Sequence, residues 1–125
     1  MFVVDYTPRS LKQLEKIVKK DRAVNRLMER KFAALRVIDF GKATRIRQIK
    51  PVEGISDKIL DFLAKEKYDS FIYEYCDFPK QYPYIVYFVK KEKVLTILRI
   101  FHHQKIKNKL AKQLVANIKE NILKK

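Results

Sequence analysis

The residues best equipped for chemistry lie together at the end of one apolar run. The segment LRIFHHQKIKNK, residues 98–109, delivers His102 and His103, the only two histidines of the chain, and then Lys105, Lys107 and Lys109 at every second position. An imidazole titrates at about pH 6.5 when unperturbed, so it can take a proton and return it near neutrality. Cleaving RNA without a metal needs a base for the 2′-hydroxyl, a cation for the crowded phosphate and an acid for the departing 5′ oxygen. His102 and His103 have the chemistry for the base and acid, and Lys105, Lys107 and Arg99 that for holding phosphate. Neighbouring side chains of an extended chain point to opposite faces, so one of the two histidines is expected to face a shared site.

Other candidates lie elsewhere in the chain. The stretch GKATRIRQIKPVEG, residues 41–54, carries Lys42, Arg45, Arg47 and Lys50 before its first acid, Glu53. From such a loop Arg47 and Lys50 are expected to approach the same sheet edge as the histidines. Tyr73, Tyr84 and Tyr87 offer rings on which a base can stack. Each feature also has a plainer reading: a turn histidine, strand-packing tyrosines, and lysines on a solvated face. Two histidines without a carboxylate cluster make a poor metal site, so no metal or cofactor is expected.

Charge narrows the partners. Lys and Arg outnumber Asp and Glu 29 to 14, a net +15 over 125 residues. That imbalance points to a polyanionic partner. The single cysteine, Cys76, can form no internal disulfide, which fits the cytoplasm. No apolar run approaches the roughly 18–20 residues of a spanning helix, and the N-terminus lacks the shape of a signal peptide, so no membrane role is expected.

The elements that must position these residues follow from periodicity. FVVDY (2–6) reads as a strand, and Thr7 with Pro8 as the cap and first residue of a helix. Leu11, Leu14, Ile17 and Val18 share one face of that helix. Asp21 caps a second helix whose stripe is Val24, Leu27, Met28, Phe32 and Leu35. The two helices form an antiparallel hairpin. Residues 36–56 read as an irregular basic loop, and Ser56 as the cap of a short helix burying Ile59, Leu60 and Leu63. FIYEYC (71–76) alternates as a strand; YIVYFV (84–89) is apolar on both faces, as a central strand would be. Lys90-Lys91-Glu92-Lys93 turn into a third strand, VLTILRIF (94–101). Ile106, Leu110, Leu114, Ile118 and Ile122 stripe a C-terminal helix. The expectation is one α+β domain over residues 1–125, with an N-terminal strand and helical hairpin packed on an antiparallel sheet, a short extra helix and a C-terminal helix.

This order, with its local strings, resembles the RelE/ParE superfamily of toxins from toxin–antitoxin pairs. IKPVEG (49–54) is similar to the family's k-p-L-k-G loop and FIYEY (71–75) to its g-l-y-E-l strand, which places Glu74 on the common Glu. YPYIVYFV (82–89) resembles y-R-i-v-Y-x-v. VLTILRIFHHQK (94–105) resembles v-x-i-l-r-i-x-H-x-r-r and places His102 on the family's His. The chain departs from the pattern in an insert at about 55–69, in Tyr75 and Cys76 after Glu74, in Tyr84 or Pro83 at the family's Arg, and in Gln104-Lys105 at its basic turn. The resemblance implies a RelE-like fold and the toxin of a toxin–antitoxin pair. It implies a possible endoribonuclease acting on mRNA at the ribosome, with His102, His103, Lys105 and Glu74 as catalytic candidates. Arg45, Arg47, Lys50, Arg99, Lys107, Tyr84 and Tyr87 would bind the RNA, and an acidic antitoxin would silence the basic surface. The departures leave the alternative of a catalytically inactive or gyrase-directed member that acts by binding.

Overall fold

The computed structural model describes residues 1–42, 46–49, 57–69, 71–102 and 110–123. The chain runs β1 (Val3–Tyr6), α1 (Pro8–Lys20), α2 (Arg22–Arg36), β2 (Ile46–Ile49), α3 (Asp57–Lys65), β3 (Ile72–Tyr75), β4 (Tyr84–Lys91), β5 (Val94–His102) and α4 (Leu110–Ile118), which continues into a π-helical turn, Lys119–Leu123. The class is α+β, and the five strands form one sheet in the order β1-β5-β4-β3-β2. β3, β4 and β5 are an antiparallel meander. β1 lies parallel to β5, pairing Val3 with Val94 through Tyr6 with Ile97.

Local signals account for the helix boundaries. Thr7 caps α1: its Oγ1 accepts from the Ser10 amide at 3.2 Å, and Pro8 occupies the first helical position, where its missing N–H costs nothing. Asp21 alone separates α1 from α2 and accepts from the Ala23 amide at 2.8 Å. So short a link folds the helices back on each other. Leu11, assigned to the buried face of α1, is 43% exposed, because the helix meets the sheet along Leu14, Ile17 and Val18 instead.

Residues 36–56 are not all loop. Ile46–Ile49 is a strand, β2, antiparallel to β3 and paired from Ile46–Tyr75 to Ile49–Ile72. Ile46 and Ile49 are three residues apart, so IRQI shows no two-residue alternation, and the neighbouring edge of β3 supplies the missing drive. The β4–β5 turn is tighter than expected, since β4 extends through Lys91 and leaves Glu92 and Lys93 between the strands. Glu92 takes a φ of 54°, the left-handed conformation that a two-residue turn asks of its first residue.

Both faces of the sheet are covered. On one, the hairpin of α1 and α2 packs Val24, Met28, Phe32 and Leu35 against Tyr73, Tyr75, Val86, Phe88, Leu95, Ile97 and Ile100. On the other, α3 and α4 bury Ile59, Leu60, Leu63, Leu114 and Ile118 against Ile72, Ile85, Tyr87, Val89 and Leu98. The expected start of the last helix at Ile106, and the expected cap at Ser56, lie outside the described residues.

The alternation of β5 is broken once. Tyr87 faces Arg99, yet Phe88 faces Ile97, so Leu98 is an extra residue on β5. This bulge resets which side chains face which way. Leu95, Ile97, Ile100 and His102 turn toward the hairpin; Leu98, Arg99 and Phe101 turn toward α4.

Candidate functional site

His102 is the last residue of β5 and stands opposite Tyr84 of β4. Their rings meet edge to face, with centroids 5.4 Å apart and planes at 84°. Tyr84 in turn packs on Phe78 at 6.3 Å, and Phe78 on Tyr75 at 5.7 Å. His102, Tyr84 and Phe78 are all half-buried, so a row of partly accessible rings runs across the hairpin face at this end of the sheet. Lys31 of α2 stands at its far end, 6.0 Å from the Phe78 centroid and 3.3 Å from the Asp77 carboxylate. Burial pushes the Tyr84 hydroxyl pKa up, so it stays protonated across the neutral range. Close by, Gln13 of α1 accepts the Ile100 amide at 3.0 Å. This satisfies the edge of β5 where β1 has ended.

The sequence reading named His102 and Tyr84; Phe78 and Lys31, which it did not name, stand beside them in the folded chain. Phe78 lies in an irregular stretch with no periodicity to mark it. Lys31 is one of many helical lysines, and only its position beside Phe78 distinguishes it.

The remaining candidates are divided between places. Glu74 and Tyr87 face the α3/α4 side: Glu74 is 7% exposed and Tyr87 is 1% exposed, and the Tyr87 hydroxyl donates to Glu74 Oε2 at 2.8 Å. A ring so deeply buried presents no face to a base, so Tyr87 is not a stacking platform. Tyr73 is likewise inside, stacked on Phe88 at 5.2 Å with its hydroxyl donating to Asp69 at 2.6 Å. The sheet therefore stands between His102 and the Glu74 carboxylate. Arg47 is in β2, and β3 and β4 lie between β2 and β5. Three strand spacings of about 4.8 Å put its backbone roughly 14 Å across the sheet from β5. The expected approach of Arg47 to the same sheet edge as the histidines is thus corrected: it lies at the far edge. Arg45, Lys50, His103, Lys105 and Lys107 lie outside the described residues.

Arg99 also faces away from His102, because the bulge at Leu98 turns it toward α4. Its Nε donates to Asn117 Oδ1 at 2.7 Å, and its guanidinium carbon lies 5.9 Å from the Phe101 ring centroid. Burial and then the neighbouring Arg9 guanidinium hold its pKa below the ordinary arginine value, with Glu120 opposing them.

Chemically, then, the hairpin face offers the imidazole of His102, held on an aromatic row with the Lys31–Asp77 pair at its far end. The opposite face offers a buried Tyr–Glu hydrogen bond and a cationic cluster around Arg99. Among the described residues no three of His, Cys, Asp and Glu come together as a metal site would require. Among them too, no helix is long and apolar enough to cross a membrane. Compared with protein-family models, curated proteins and solved structures, the chain shows no match to any of them.

Proposed function

We propose that the protein is a RelE/ParE-like toxin of a toxin–antitoxin pair that acts on RNA, in the cytoplasm and on mRNA at the ribosome. The carrying observation is the half-buried His102 ring, seated on Tyr84 at the end of β5 and continuing into the aromatic row of Tyr84 and Phe78. The order of a strand, two helices and then an antiparallel meander supports it, as does a net charge of +15. Partly accessible rings beside a lysine suit unpaired RNA, whose bases can splay onto them. In the reaction, a base removes the 2′-hydroxyl proton and the 2′ oxygen attacks the adjacent phosphorus. The P–O5′ bond then breaks, and an acid returns a proton to the leaving 5′ oxygen. The products are a 2′,3′-cyclic phosphate and a 5′-hydroxyl. His102 fills one of the two proton-transfer roles. The sequence that follows it, with His103 and Lys105, supplies candidates for the other. An acidic antitoxin would cover the same basic surface.

A second reading keeps the fold and drops the cleavage, leaving a binding protein directed at nucleic acid or at a gyrase-type protein–DNA complex. What favours it is the separation of His102 from Glu74 by the sheet. Induced expression of the wild type beside His102→Ala, with growth and labelled amino-acid uptake followed together, decides between them. Arrest of translation by the wild type and not by the folded variant supports cleavage. Equal arrest by both supports action through binding. No effect of either on growth or translation sinks the toxin reading.

A further inference from the structure

We infer that the α4 side of the β5 bulge is a binding site for a phosphate-class oxyanion, built from Arg9, Arg99 and the side-chain amide of Asn117. The inference requires neither His102 nor cleavage, and it concerns the face of the sheet opposite the aromatic row.

Three observations meet there. The first is Asn117, which is 1% exposed. Its Oδ1 accepts from Arg99, and among the described residues the Nδ2 donor of the same amide has no hydrogen-bond partner. An unmet buried donor is costly, and polar groups of this kind normally have an acceptor. The second is Arg99. Half-buried, it makes no salt bridge among the described residues, feels the Glu120 carboxylate only at longer range, and spends its Nε on Asn117, which leaves the terminal guanidinium nitrogens as donors. The third is Arg9, whose Nη2 reaches Glu120 Oε1 at a loose 3.5 Å, with both side chains about half exposed. A contact of that kind is weak and easily exchanged. Two guanidinium groups thus face a single carboxylate, and a neutral amide donor has nothing to donate to.

The local fold explains why they converge. Thr7 seats the start of α1 on the bulge, its amide donating to the Ile97 carbonyl at 3.1 Å and its hydroxyl to the Leu98 carbonyl at 3.3 Å. Arg9 follows in the first turn of α1, which contains no acidic residue. The helix end adds its positive partial charge to the same region. On the other side, α4 passes into a π-helical turn, where Asn121 Nδ2 donates to the Asn117 carbonyl at 2.8 Å. Such turns recur at functional sites. Planar guanidinium forks and an amide N–H together match the several acceptor oxygens of a phosphate. Glu120 is the internal competitor.

The test uses the full chain and inorganic phosphate, against sodium chloride at matched ionic strength, read by thermal unfolding and by phosphorus NMR. Saturable binding is expected. Arg9→Gln, Arg99→Gln and Asn117→Asp should each weaken it about tenfold or more, the last by placing a carboxylate against Arg99. Glu120→Gln should tighten it several-fold, and Lys12→Gln, which removes an exposed charge elsewhere on α1, should leave it unchanged. A short oligouridylate without terminal phosphates then identifies the source. If it displaces phosphate, the oxyanion is a backbone phosphodiester; if it does not, the site takes a free phosphate group; either result carries the site. Should Arg99→Gln fail to fold, Arg9→Gln and Glu120→Gln decide alone, since both change half-exposed side chains. Loss of affinity equal to that of Lys12→Gln, or no Arg9-dependent binding of either ligand, overturns the inference.

Discussion

At the residue scale, the tyrosines show how much a single face decides. Tyr75 and Tyr87 lie on adjacent, antiparallel strands with nearly the same local sequence signal. Tyr75 turns to the hairpin, where its hydroxyl donates to the Lys31 carbonyl at 3.3 Å; Tyr87 turns to the other face and donates to Glu74. Burial, with a smaller contribution from the Asp77 carboxylate, pushes the Tyr75 hydroxyl up to about 12. A tyrosine whose folded pKa is raised keeps its proton while the unfolded chain, near 10, loses it. Stability is therefore unaffected by this group below pH 10 and falls as pH rises from 10 toward 12. Urea denaturation midpoints across pH 9–12 should show that fall, and Tyr75→Phe should lessen it. At pH 7 the same substitution should cost about 0.5–1.5 kcal/mol through the lost hydrogen bond.

At the scale of elements, α1 and α3 do different work. Thr7 caps α1 and also ties it to the bulge, and it is 2% exposed. Thr7→Ala removes the cap and leaves the Leu98 carbonyl without its hydroxyl partner. A loss of about 1–2 kcal/mol in chemical denaturation is expected, at the upper end of what caps contribute. α3 is part of the core: Leu63 is 0% exposed within the cluster on the Tyr87 face. Leu63→Ala should destabilise by about 2–5 kcal/mol. A cost under about 1 kcal/mol would mean that α3 merely rests on the sheet. The helix hairpin was legible because caps and a 3.6-residue stripe are local signals. β2 was not, because four residues with one arginine and one glutamine between two isoleucines carry too little pattern, and their strand character comes from pairing with β3.

At the scale of the whole molecule, the excess of positive charge dominates. A surface at +15 attracts any polyanion, so specific sites are superimposed on a general electrostatic attraction. If single-stranded RNA neutralises about five lysines and arginines, log K should fall against log salt with a slope of about −3.5. Filter binding or fluorescence anisotropy between low and physiological salt measures it. Substituting Lys31, beside the aromatic row, should reduce the slope by less than one charge and lower affinity at every salt concentration. A slope near zero would remove nucleic acid from the list of partners.

The sequence alone determined the α+β class, the helix hairpin with its two caps, the antiparallel meander and the basic character, because each rests on local periodicity, capping chemistry or composition. It also singled out His102 as an acid–base group at a strand end. Which residues stand near His102 was decided only in three dimensions. Strict alternation along β5 would have placed Arg99 beside Ile97 on the hairpin face and His102 on the other. The bulge at Leu98 exchanges them, pairing His102 with Tyr84 and Arg99 with Asn117. The strand order likewise sends Arg47 to the far edge of the sheet. Bulges and strand order are settled by contacts between segments distant in the chain, so no local pattern encodes them.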